Sequence, residues 1–141
     1  MRALASATAG DQQQRLAEEF VAWALDFERR CMESGRPASR YFHADGLALY
    51  TRWSKSKIAT GGRPTLVLAN IEVAPELRGR GVFTGIIERL RDPATPLAAE
   101  ALYVELVGEK RLAAWLARNG FQKCALAEEG APSFYRFRQG P

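Results

Sequence analysis

The stretch from Thr65 to Leu90, TLVLANIEVAPELRGRGVFTGIIERL, constrains the chain more than any other segment. Leu66, Val67, Leu68, Ile71 and Val73 form an apolar run long enough for a strand, and Ala74-Pro75 closes it because proline removes a ladder donor. Gly79 and Gly81 lack a Cβ, so the loop Arg78-Gly79-Arg80-Gly81 is free to adopt positive φ. Val82, Phe83, Ile86, Ile87 and Leu90 then recur at helical spacing. A strand that turns through a basic glycine loop into a helix presents unpaired N–H groups and a helix dipole to the loop, where a pyrophosphate would be accommodated.

The flanking segments extend the pattern. Leu16, Phe20, Trp23, Ala24, Phe27 and Cys31 recur at three- and four-residue steps, which predicts a helix over Asp11 to Glu33, ended by Gly35 and Pro37. Leu47 to Trp53 reads as a strand, and Gly61-Gly62 turns it back onto the Leu66 strand as an antiparallel hairpin. Pro93 and Pro96 close the helix after the glycine loop. Ala101 to Val107 is expected to be a strand, Glu109 to Asn119 a helix, Phe121 to Leu126 and Ser133 to Arg138 the last two strands, with a turn over Glu129 to Pro132.

At 141 residues the chain has the size of one domain, read as a loose tail over residues 1–10 and a single domain over 11–141. A hydrophobic fraction of 47% with 26% charged residues places it among globular proteins, and no apolar run approaches the roughly 20 residues of a membrane span. Cys31 and Cys124 stand apart from each other, which suggests reduced buried thiols and a cytoplasmic setting rather than a bridge or metal site. With one histidine, His43, a multi-histidine metal site or a histidine triad has too few members, and His43 itself reads as a surface or hydrogen-bonded loop residue.

The net charge of +4 aids binding of an anion and does not by itself identify a nucleic-acid binder. Arg52, Lys55, Lys57 and Arg63, with Trp53 among them, form a carboxylate-free stretch. It could meet an acidic substrate, nucleic acid or a cofactor phosphate; the preferred reading is a solvated hairpin whose lysines discourage edge pairing.

The glycine loop resembles that of the GNAT acyl-CoA N-acyltransferases. Their motif is a strand L-x-V-x-P followed by Q/R-x-x-G-x-G/A and a helix; here Ile71, Val73 and Pro75 precede Glu76-Leu77-Arg78-Gly79-Arg80-Gly81. Glu76 departs from the first motif position, so it must face solvent or pair with Arg78 or Arg80. The superfamily's later block, N-x-x-A-x-x-L-Y-x-x-x-G-F, corresponds to Glu109 through Asn119-Gly120-Phe121, with Glu109 at the asparagine and Leu116 at the tyrosine that protonates the departing thiolate in many members.

The resemblance implies an α/β (α+β) fold, a mixed, mostly antiparallel central sheet flanked by helices and lacking the usual first strand. A partner subunit, as in a homodimer, could cover the sheet edge so exposed. It implies acetyl-CoA as acyl donor, no metal, and direct transfer of the acetyl group to an amine on a small molecule or protein. Ile71, Val73, Arg78, Gly79, Arg80, Gly81, Val82 and Phe83 would hold the cofactor. Glu72 and Glu105 are the carboxylate candidates for deprotonating the amine, and Tyr50, Tyr103 and Tyr135 could each replace the missing tyrosine acid. Two other readings stay open: a GNAT-fold module that binds a protein or nucleic-acid partner without chemistry, and a small basic nucleic-acid-binding protein.

Overall fold

The computed structural model describes residues 9–105, 107–124 and 132–139. Its first described element is a 26-residue helix, α1 (Ala9–Ser34), so the tail expected over residues 1–10 lies outside the description for residues 1–8 and is helical at Ala9 and Gly10. The predicted apolar stripe is the buried one: Leu16, Phe20, Ala24, Phe27 and Cys31 are each no more than 3% exposed. Full burial of one such large apolar side chain contributes about 1.5–3 kcal/mol, so the stripe fixes which face of α1 meets the sheet. Gly35 ends the helix at φ +70°, its N–H donating to the Cys31 carbonyl at 2.9 Å.

Next comes a strand absent from the sequence reading, β1 (Ala38–Ala44), which makes His43 an exposed strand residue rather than a loop residue. Asp45 and Gly46, at φ 39° and 90°, form the tight turn into β2 (Leu47–Ser54). Asp-Gly suits such a turn because both central residues need positive φ. A Cβ on Gly46 would lie 2.9 Å from the Ala74 Cβ, so the turn sits hard against the segment that leaves the next strand.

β2 pairs antiparallel with β3 (Thr65–Val73) through the Gly61-Gly62 turn, as the glycine pair predicts. A single turn of 3-10 helix (Pro75–Leu77) and the glycine loop follow, then α2 (Val82–Arg91), β4 (Ala101–Val104), α3 (Lys110–Arg118), β5 (Gln122–Lys123) and β6 (Phe134–Phe137). The strand predicted over Ala101 to Val107 is shorter, ending at Val104. That predicted over Phe121 to Leu126 is described only as Gln122–Lys123, residues 125–131 and most of the turn at 129–132 lying outside the described residues.

The six strands form one sheet in the order β1-β2-β3-β4-β6-β5, antiparallel except for β3 and β4. The mixed, mostly antiparallel α+β architecture is therefore as the motifs imply, and among the described residues no strand precedes α1. Leu47, Leu49 and Trp53 of β2, Leu66 and Leu68 of β3, and Leu102 and Val104 of β4 join the buried residues of all three helices in one core cluster. Alternation puts Val67, Ala69, Ala101 and Tyr103 on the opposite face; they are buried but outside that cluster. The helices thus cover one face, and the other is covered at one end by the β2–β3 connection, where Thr60 and Thr65 share a buried hydroxyl hydrogen bond of 2.8 Å.

Candidate functional site

The parallel pair β3 and β4 stays in register only over Thr65 to Leu68 against Ala101 to Val104, and the last ladder bond is Glu105 N–H to the Leu68 carbonyl at 2.9 Å. Beyond Leu68, β3 runs on to Val73 with no described strand on its β4 side. The divergence begins at an irregularity: the β2–β3 register shifts between Ala48 and Tyr50, and Asn70 on the facing strand has φ 47°. This bulge bends β3 at the mouth of the gap, and an asparagine tolerates left-handed backbone better than the β-branched residues around it.

An open cleft of about 1700 Å³ passes through this gap from the helix-covered side to the helix-free side. It exceeds the roughly 300–1,000 Å³ of a drug-sized site and has room for a large cofactor with an acceptor. On the helix side its rim is the glycine loop. Gly79 and Gly81 have φ 74° and 72°, and Gly81 is the N-cap of α2 with no side-chain cap. The first bond within the helix is Gly85 N–H to the Gly81 carbonyl, so the N–H groups of Val82, Phe83 and Thr84 precede the helical ladder and remain for an anion. Gln13 of α1 donates to the Gly81 carbonyl at 2.9 Å and holds the loop against the core.

Of the residues expected to hold the cofactor, Ile71, Val73, Arg78, Gly79, Gly81, Val82 and Phe83 line the cleft, and Arg80 does not. Arg78 Nε donates to the Val73 carbonyl at 2.9 Å, so that carbonyl is already engaged by the loop. Glu76 is exposed on the 3-10 turn, with solvent rather than Arg78 or Arg80 as its surroundings.

Glu72 and Glu105 both line the cleft on the helix-free side but differ in environment. Glu72 is exposed and stands opposite Ala48. Glu105 receives a two-pronged hydrogen bond from Arg52, at 3.1 and 2.6 Å, and a third from Lys57 at 2.9 Å. Burial raises its pKa, and the hydrogen bonds and charges of Arg52 and Lys57 outweigh that, leaving the carboxyl below its ordinary value. A folded pKa below the unfolded one adds stability at pH above about 4.3 that is lost as pH falls through the folded value. Glu105→Gln should accordingly flatten the acid limb of a stability-versus-pH curve below about pH 4.5, as followed by urea unfolding; an unchanged limb would show that the ion cluster is not coupled to folding.

The same contacts revise the reading of the basic stretch. It lies between two interior strands rather than at an edge, Trp53 is 4% exposed in the core, Arg52 and Lys57 are engaged with Glu105, and Lys57 Nζ sits 4.5 Å from the Tyr103 ring centre. No exposed aromatic therefore interleaves these cations, as a stacking nucleic-acid surface would need.

Of the three candidate tyrosine acids, Tyr50 alone lines the cleft. Tyr103 is 8% exposed, its hydroxyl pKa raised by burial and by its hydrogen bond with Cys124, while the Tyr135 hydroxyl donates to Gln122 at 2.7 Å. Both cysteines are free and buried, as expected. On α3 the cleft is lined by Arg111, Leu112, Trp115 and Arg118, whereas Leu116 is fully buried in the core cluster. Glu109 caps α3, accepting from Leu112 N–H at 2.6 Å, which gives a structural reason for a carboxylate at that motif position.

Thr84, His43, Asn70 and Trp115 also line the cleft and were not foreseen as site residues. Only the Asn70 break in an apolar run and the Asp45-Gly46 turn offered local signals. Among the described residues no group of three or more histidine, cysteine or carboxylate side chains is arranged to hold a metal, and no helix is long and apolar enough to cross a membrane.

The fold is similar to that of solved structures. An acetyltransferase from Thermus thermophilus superposes with a TM-score of 0.50 at 15% identity, over 77% of this chain and 69% of that one. This chain has a GNAT-like fold. A mutant AtaT toxin bound to the C-terminus of the antitoxin AtaR and to acetyl-CoA matches at TM-score 0.46 and 14% identity, over 66% of this chain and 59% of that one. A Klebsiella pneumoniae subsp. pneumoniae MGH 78578 protein assigned as an acyl-CoA N-acyltransferase matches at TM-score 0.48 and 14% identity, over 89% and 88%. No protein-family model matches the sequence, and a comparison with curated proteins finds no match.

Proposed function

We propose that the protein is an acetyl-CoA-dependent N-acetyltransferase that moves the acetyl group directly onto an amine. The observation that carries this reading is the uncapped N-terminus of α2, with its two left-handed glycines, at the rim of a cleft that continues through the sheet to an exposed carboxylate, Glu72. Bound acetyl-CoA would supply an activated thioester. The N–H groups of Val82, Phe83 and Thr84, aided by Arg78, would hold its pyrophosphate. The unpaired edge of β3 between Ala69 and Val73 would align the extended arm and offer an N–H to the negative charge that grows on the carbonyl oxygen.

On the other side of the gap Glu72 would take a proton from the incoming ammonium, directly or through water, so that the neutral amine attacks as the C–N bond forms and the C–S bond breaks. Glu105, bound by two cations, serves this reading better as an anchor of the cleft wall than as a base. Tyr50, which lines the cleft, would return a proton to the leaving thiolate, a role for which α3 offers no hydroxyl at Leu116. Glu72→Gln is expected to lower kcat by about 10²–10⁴, the usual worth of a general base, with acetyl-CoA affinity within about twofold of the native protein. Release of free thiol from acetyl-CoA in the presence of amines measures the first and calorimetry the second; native kcat in Glu72→Gln would remove Glu72 from the mechanism.

The buried Leu116 favours one second reading, a GNAT-fold module that binds acyl-CoA and a partner without turnover. Tight acetyl-CoA binding with no thiol release across a broad amine panel would select it. A cytoplasmic setting and a homodimer remain parts of the proposal that fractionation and sedimentation would test.

A further inference from the structure

The helix-free mouth of the cleft has a polarity that bears on the acceptor. Cross-strand rows order its side chains: His43, Ala48 and Glu72 lie in one row, and Tyr41, Tyr50 and Ala69 in the next. Ala48 and Ala69 are diagonal neighbours, so their short side chains leave a shallow floor between Tyr50 and Glu72. Two residues further along β2, Arg52 faces the same trough and is bound with Lys57 to the single carboxylate of Glu105. The three side chains are only 31%, 23% and 19% exposed. Two cations share one anion, so among the described residues this end of the trough carries one positive charge in excess, in a setting where water screens it poorly. The opposite end carries the exposed, unshared carboxylate of Glu72.

Resting on the acetyltransferase reading, we infer that the acceptor is a compact primary amine bearing an anionic group, a carboxylate or phosphate, several bonds from its nitrogen. Its ammonium is drawn to Glu72, where transfer occurs, and its anionic end to the Arg52–Lys57 pair. Ala48, opposite Glu72, and Arg52 are four residues apart on one strand, about 14 Å of backbone at roughly 3.4 Å per residue, which the lengths of the Glu72 and Arg52 side chains reduce to the span of a short acceptor, and Arg52 is tied to Glu105 at the divergence of β3 and β4. That geometry suits a spaced amino acid or an aminoalkyl phosphate. A second cation in place of the anion would meet the excess positive charge, so polyamines are poor acceptors on this account.

Matched pairs test the inference: 4-aminobutyrate against 4-aminobutanamide, and O-phosphoethanolamine against ethanolamine, with thiol release from acetyl-CoA as the readout. At least one acidic member should exceed its neutral partner tenfold or more in kcat/KM, and which pair shows it separates carboxylate from phosphate. Lys57→Met, which cancels the excess charge while leaving Arg52 bound to Glu105, should bring that ratio toward one; Lys57→Arg should keep it. Equal use of both members of each pair, or a ratio unmoved in Lys57→Met, overturns the inference and leaves the acetyltransferase reading standing. Thiol release with none of the four, in protein that acetylates other amines of a broad panel, overturns the inference alone; release with no amine of that panel, in protein that binds acetyl-CoA, overturns both.

Discussion

Arg138→Met should lower the thermal midpoint by about 10–20 °C, an effect far larger than that of any surface ion pair in the molecule. The Arg138 side chain is buried and donates to five backbone carbonyls: Leu90 and Thr95 at 2.7 Å, Leu97 at 2.9 Å, Asp92 at 3.1 Å and Ala99 at 3.4 Å. These carbonyls belong to the end of α2 and to the connection into β4, which has no regular structure of its own to satisfy them. Glu28, buried on α1, completes the arrangement by accepting the Ala98 and Ala99 N–H groups at 2.6 and 2.7 Å. Burial lowers the Arg138 pKa and raises that of Glu28, the mutual attraction opposing both shifts, and the guanidinium stays charged.

Removing the guanidinium while keeping the apolar stem leaves several buried acceptors unpaired, at about 1–3 kcal/mol each. Part of that is recovered by water, and about 3–5 kcal/mol is the expected net loss. For a domain of this size 1 kcal/mol moves the midpoint by roughly 3–4 °C. By contrast, removing the exposed Arg29–Glu33 pair of α1 should move it far less, because solvent screens a pair whose side chains are both more than half exposed. Calorimetric melts of both variants decide this; a midpoint for Arg138→Met within about 2 °C of the native protein would contradict the assignment of the connection's rigidity to this side chain.

Gly79→Asp should reduce acetyl-CoA affinity by about two orders of magnitude, with Gly79→Asn close to native. Gly79 is the cleaner probe of the loop, since a Cβ there meets nothing within 4 Å, whereas one on Gly81 meets Gln13 Nε2 at 3.3 Å and Thr84 Oγ1 at 3.4 Å. Both Asp and Asn tolerate left-handed backbone, so the two variants share the conformational cost and differ in charge. A carboxylate about 5 Å from a phosphate at an effective dielectric of about 20 is repelled by ~3 kcal/mol, which is roughly a two-hundredfold loss. Equal affinities for the two variants, measured by titration, would place the pyrophosphate away from the loop.

The parts of the fold legible in the sequence were those where pattern and burial coincide. The α1 stripe, the β3 run, the glycine loop and the α2 spacing each serve the helix-covered core, so hydrophobic period reports them directly. β1 escaped because it is an edge strand in which Phe42 alone is buried, so apolar alternation is missing, although Asp45-Gly46 announced the turn that follows it. β4 was drawn too long because the chain leaves the ladder where β3 and β4 part, a tertiary event with no local cue.

At the site, the loop residues were legible as a motif, but the contrast between Glu72 and Glu105 was not. Arg52 and Lys57 lie about fifty positions from Glu105 in sequence, and only the sheet brings them to one carboxylate. Likewise the preference for Tyr50 over Tyr103 and Tyr135 as a cleft residue depends on which strand neighbours each has.

Calorimetric titration of the native protein with acetyl-CoA tests the anion site at the N-terminus of α2 most directly. A stoichiometric, micromolar-order interaction is predicted, near about −8 kcal/mol, weakened in Gly79→Asp and preserved in Gly79→Asn. Absence of any heat of binding at millimolar acetyl-CoA, confirmed by an unshifted thermal midpoint, would contradict it.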